Sequence, residues 1–151
     1  GIAAFLFAYL FIPHVADKLA FGFYTPKNVK PMPPEFPRIK AMITRHEYKE
    51  AVAELKSLLE KDPGNYHVIA LLLEIFVDKT EDHENAIGLI TAYLRKEDRQ
   101  PDDIPIILML ADVYLDMDQK DRAVEFLKRE LGMKHAESDL NHIRKRLEGM
   151  S

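Results

Sequence analysis

EYKEAVAELKSLLEKDPGN, residues 47–65, reads as one amphipathic helix with its own stop signal. Ala51, Leu55, Leu58 and Leu59 fall at the i, i+4, i+7, i+8 spacing that places them on a single helical face. The helix should end near Lys61, because Pro63 and Gly64 follow and neither favours continuation. The same pattern returns twice downstream. HENAIGLITAYL, residues 83–94, carries Ala86, Ile90, Tyr93 and Leu94, and KDRAVEFLKREL, residues 120–131, carries Ala123, Leu127 and Leu131. The three alanines stand 35 and then 37 residues apart, so the chain contains an internal repeat.

Each of the last two copies has a partner upstream. YHVIALLLEIFVDK, residues 66–79, offers Ile69, Leu72, Leu73 and Phe76; IPIILMLADVYLDM, residues 104–117, offers Ile107, Leu110, Ala111 and Tyr114. Both sets follow i, i+3, i+4, i+7. On these residues the chain resembles the tetratricopeptide repeat (TPR) family, whose units are antiparallel helix pairs of about 34 residues. Ala51, Ala86, Ala123 and Ala111 match its small crossing positions, Tyr114 its bulky aromatic in the first helix, and Pro63 its closing proline. The chain departs from the family pattern in lacking the signature Trp and Gly, in spacings above 34, in a late Pro101, and in a first leading helix cut short by Pro37.

The resemblance covers roughly residues 39–134 and implies about two and a half repeats. Each pair would leave an apolar face for its neighbour to cover, so the stack needs a polar-faced terminal cap. AESDLNHIRKRLEGM, residues 136–150, fits one, with Leu140, Ile143 and Leu147 on one side and Asn141, Arg144, Lys145 and Glu148 elsewhere. The expected fold is all-α: a TPR-like solenoid of antiparallel helix pairs over 39–135, a capping helix over 136–151, and seven helices in total after a proline-rich neck.

The start of the chain is different in character. Residues 1–16 hold no formally charged side chain when His14 is neutral, and Ile2, Phe5, Leu6, Phe7, Tyr9, Leu10, Phe11 and Ile12 would surround a helix on every side. A buried helix of the body would show a polar stripe. A secretory signal would want a basic start and a small-residue cleavage site. Lipidation is disfavoured by Phe5, where a myristoylation motif takes Ser or Thr.

The reading that remains is a single transmembrane helix over 1–22, with Tyr9, Phe21, Phe23 and Tyr24 available to the interfaces. Sixteen residues of helix reach about 24 Å against about 30 Å of hydrocarbon. Spanning therefore requires apolar residues ahead of Gly1 or a helix that continues past Lys18. The linker over 23–38 contains Pro26, Pro31, Pro33, Pro34 and Pro37 and should be an extended, semi-rigid spacer. Lys18, Lys27, Lys30, Arg38 and Lys40 favour a cytoplasmic side for the body by the positive-inside tendency.

Composition narrows the role. The net charge of −4 comprises +2 up to Ile39 and −6 beyond it, with no basic footprint for nucleic acid. With no cysteine there is no thiolate chemistry, disulfide or cysteine zinc site. The three serines, Ser57, Ser138 and Ser151, lie in no nucleophile motif, and the six glycines form no phosphate loop. RHEYKE and DHENA lack the second His of a zinc-protease helix, and His135 and His142 have no evident third ligand. In DMDQKD, Leu127 stands where a calcium loop needs Glu, so the segment reads as a turn in which Asp118 caps the next helix. No enzyme, metal or cofactor is expected.

One constellation remains. Glu74 and Asp78 occupy places equivalent to Asp112 and Asp116, each pair four residues apart on one face. The resemblance implies that these leading helices line a concave wall, where the four acids and His67 would meet a basic or amphipathic protein segment. The family's clamp for acidic peptide termini uses Lys and Asn on this wall; here His67, Ala70, Glu74, Leu108 and Asp112 stand in the comparable region. The expectation is a membrane-anchored adaptor or scaffold for assembling a membrane complex. The alternative is a resident accessory subunit whose opening helix packs on others through Gly1, Ala3, Ala4 and Ala8.

Overall fold

The computed structural model describes residues 33–150. The proposed anchor, with Phe5, Leu6, Phe7, Tyr9, Leu10, Phe11 and Ile12, and most of the neck lie outside the described residues. Within them the chain is all helical. In order come α1 (Phe36–Thr44), α2 (Tyr48–Lys61), α3 (Tyr66–Leu73) continued by a π-helical segment (Glu74–Lys79), α4 (His83–Tyr93), a 3-10 turn (Pro101–Asp103), α5 (Ile104–Asp116), α6 (Lys120–Leu131) and α7 (Glu137–Met150). Among the described residues no helix is long and apolar enough to cross a membrane.

The apolar stripes become the core. Ala51, Leu55, Ala86, Ile90, Ala123 and Leu127 are fully buried, as are Ile69, Leu72, Leu73, Ile107 and Ala111. Leu58, Leu59, Tyr93, Leu131 and Leu147 pack against this core while partly exposed. Each helix packs on the next in the chain, and α5 also packs on α7. The α2 helix ends at Lys61, as Pro63 and Gly64 require. Asn65 then caps α3 with its side-chain oxygen, accepting from the backbone N–H groups of His67 at 3.0 Å and Val68 at 3.4 Å.

The repeat also appears in the backbone. His46, Glu81 and Asp118 have φ of 63°, 50° and 59°, and they are the only non-glycine residues with positive φ among those described. Each is the middle residue of a three-residue connection: Arg45–Glu47, Thr80–Asp82 and Met117–Gln119. Each also lies five residues ahead of a buried alanine, Ala51, Ala86 and Ala123. A left-handed residue just past a helix lets the following N–H reach back to an otherwise unpaired carbonyl. The N–H of Glu47 bonds the carbonyl of Met42 at 2.9 Å, and that of Gln119 bonds the carbonyl of Tyr114 at 2.8 Å. At the middle turn the N–H of Asp82 reaches one residue further, to Phe76 at 2.6 Å. There the preceding helix is π, and its wider i→i+5 turn takes up the extra residue.

The first leading helix is short, nine residues, and Pro37 sits in its first turn, where the missing N–H has no partner to lose. The helix therefore begins inside the stretch assigned to the neck, and Arg38 pairs with Glu54 of α2 at 2.5 Å. Asp118 does not cap α6. The cap residue is Gln119, without a side-chain cap bond, and Asp118 contributes its backbone conformation instead.

Candidate functional site

The exposed positions of α3 and α5 follow from what the helices bury. From Val68 to Val77 only Ala70 and Glu74 escape full burial, so with His67 and Asp78 they form one half-exposed stripe. On α5 the corresponding stripe is Leu108, Met109, Asp112, Leu115 and Asp116. Leu115, 37% exposed, is the only large apolar side chain exposed among the described residues. It sits directly beside Asp116 and three residues after Asp112.

The five site residues differ in their surroundings. His67 is partly committed to packing, with its ring edge-on to Phe36 and to Tyr66 at centroid distances of 6.2 Å each. That contact joins α3 to α1. Glu74 and Asp78 lie in the π segment, so their four-residue spacing spans a wider turn than that of Asp112 and Asp116. Asp112 accepts a hydrogen bond from the guanidinium of Arg146 on α7, which lies 34 residues further along the chain. Sequence reasoning did not find this pair.

Among the described residues the other histidines do not converge. His46 shares a 2.7 Å hydrogen bond with the hydroxyl of Tyr48, and His142 is exposed on α7 while the side chain of His135 is enclosed. Among the described residues no three His, Cys, Asp or Glu side chains come together as a metal-binding group.

Two polar clusters around the α4–α5 connection were also not anticipated. In the first, Asp103 is fully buried and accepts from the Tyr93 hydroxyl at 2.7 Å, the Lys96 ammonium at 2.8 Å and the backbone N–H of Gln100 at 2.8 Å. Burial, and then the bond to Asp103, push the Tyr93 hydroxyl well above its ordinary pKa. Lys96 also lies over the Tyr93 ring, 4.4 Å from its centroid.

In the second cluster, Arg99 donates two bonds of 2.9 Å to the two carboxylate oxygens of Glu130. Both side chains are about 95% enclosed, and the bonds to Glu130 raise the Arg99 pKa. The Nε2 of His135 lies 3.2 Å from the same carboxylate. One signal for this cluster was present in the sequence: Glu130 stands seven residues after Ala123, on the apolar stripe of α6. The long second spacing between alanines is therefore the strap that carries Arg99 to Glu130. These clusters tie segments together and expose little reactive surface.

Compared with known proteins, the chain matches no family model, no curated protein and no solved structure.

Proposed function

We propose that this chain is a TPR-like adaptor, held at a membrane by its opening segment, that captures a basic amphipathic segment of a protein partner. The observation that carries this reading is the composition of the exposed stripes. The stripes of α5 and of the π segment that continues α3 combine the half-exposed Glu74, Asp78 and Asp112 and the exposed Asp116 with the half-exposed Leu108 and Met109 and the exposed Leu115. An amphipathic helix would lay its apolar positions over these side chains and its lysines or arginines against the acids. The repeated left-handed turns and the fully buried alanines support the helix-pair repeat on which the wall depends. The uncharged stretch from Gly1 to Ala16 supports the anchor.

The test is charge reversal of the wall. Changing Glu74, Asp78, Asp112 and Asp116 together to Lys should abolish binding of a synthetic leucine–lysine amphipathic peptide, measured by fluorescence anisotropy, while far-UV circular dichroism stays helical. Unchanged binding by a folded variant removes the wall as the site. The adaptor reading also predicts that the full chain purified in mild detergent exchanges partners, whereas an accessory subunit would leave the membrane with fixed stoichiometry.

A further inference from the structure

The outward face of α6 carries four charges in a definite order. Ala123, Phe126, Leu127 and Glu130 turn inward, which leaves Asp121, Glu125, Lys128 and Arg129 exposed on the opposite side with Val124 half-buried beside them. Acids occupy the first half of the stripe and bases the second. Among the described residues none of the four makes an ion pair or a side-chain hydrogen bond, although Glu125 and Arg129 stand four residues apart on one helix. Arg122, at the edge of the stripe, is engaged within the fold: it bonds Gln119 at 3.0 Å and lies over the Tyr114 ring, 4.7 Å from its centroid. The stripe also borders an open groove of about 510 Å³, lined by Asp121, Val124, Glu125, Lys128 and Arg129.

We propose that this face is a self-association surface, on which α6 of a second copy of the chain lies antiparallel about a two-fold axis near Val124. Acids ahead of bases suit the helix macrodipole, and the same order makes the face complementary to itself once one copy is reversed. Asp121 and Glu125 of each copy then meet Lys128 and Arg129 of the other, while the two Val124 side chains close the centre. In such an isologous contact every attractive pairing occurs twice. A purely basic or purely acidic partner would match only half of the stripe, and a second copy matches all of it. The proposal rests neither on the acids of α3 and α5 nor on the opening segment.

The face is small, since twelve residues of helix are about 18 Å long. A contact of this size belongs to the weak, reversible class that buries less than about 1,200 Å². Association should therefore depend on concentration and fall as salt screens the exposed charges.

The chain has no cysteine, so Ser57→Cys, exposed on α2, accepts a donor or an acceptor dye at one site. Energy transfer between two labelled pools of the full chain, in mild detergent with micelles in excess, measures association. The all-acidic variant, Lys128→Glu with Arg129→Glu, and the all-basic variant, Asp121→Lys with Glu125→Lys, should each lose self-affinity by about tenfold or more, because like charges meet across the axis. Mixed together, the two variants should recover transfer to at least the level of the unaltered chain. Unfolding cannot produce that recovery. Transfer undiminished in both variants places association elsewhere in the chain and overturns the proposal. So does a mixture of the two variants, both helical by far-UV circular dichroism, that shows no recovery, and so does the absence of transfer by the unaltered chain.

Discussion

Glu130→Leu is the most exacting test of the buried cluster. The substitution leaves the Arg99 guanidinium enclosed, with the Lys96 carbonyl as its remaining described hydrogen-bond acceptor. It also takes away the acceptor at 3.2 Å from His135, whose side chain is fully enclosed and whose Nδ1 has no hydrogen-bond partner of its own. Removing one member of an enclosed ion pair costs about 3–5 kcal/mol, because the other charge stays out of water without compensation. Single domains usually have about 5–15 kcal/mol of stability, so for a mid-range total of about 10 kcal/mol this takes about a third to a half of the whole. With a urea slope of about 2 kcal/mol per molar, the midpoint should fall by about 2 M.

Arg99→Met alone should cost a similar amount. The double change Arg99→Met with Glu130→Leu removes both charges and should cost less than either single one, within about 1 kcal/mol of the starting protein or better. Urea unfolding followed by far-UV circular dichroism, with all four proteins at one pH and salt, measures the cycle. Single losses below about 1 kcal/mol, the range of exposed pairs, would refute the claim that this cluster is sealed from water.

Alkaline titration reads the other cluster. Tyr93 keeps its proton in the folded chain at pH values where a free tyrosine, with its pKa of about 10, releases it. Its contribution is therefore complete below pH about 10 and is lost as the pH rises beyond that, because the unfolded chain then binds fewer protons than the folded one. Tyr93→Phe should flatten this alkaline decline, as measured by urea unfolding at stepped pH. The left-handed turns predict a gain in stability: Glu81→Gly relieves a side chain held at φ 50° and should stabilise the fold by about 0.5–1 kcal/mol after the entropy cost of glycine. The same change at Thr80, which has φ −112°, should destabilise it.

The helices were legible because burial on one face imposes a period, and the period is written in individual residues. Ala51, Ala86 and Ala123 marked the repeat, and all three are fully buried where the pattern required. The π segment was not legible. Its extra residue shows in sequence only as a spacing of 35, and apolar side chains run almost unbroken from Val68 to Val77. With so little contrast between faces, nothing marks where an α turn widens. The left-handed residues were hidden for another reason: His46, Glu81 and Asp118 share no side-chain chemistry, and no glycine announces the turn. What repeats there is a backbone conformation imposed by a three-residue reversal between packed helices, which a single sequence does not spell out.

The acidic stripes were read from spacing alone, and spacing is local. It found Glu74 with Asp78 and Asp112 with Asp116, because each pair lies within one helix. It could not find the partners brought in from elsewhere, Arg146 on Asp112 and Arg99 on Glu130, which lie 34 and 31 residues away. The two pairings have different consequences. Arg99 and Glu130 are enclosed, so their charges are spent on holding the α4–α5 strap against α6, and no external ligand can reach them. Asp112 and Arg146 keep about a third of their side-chain exposure, so water reaches that pair. Exposure, which sequence spacing does not carry, separates a carboxylate sealed inside the fold from one that solvent still reaches.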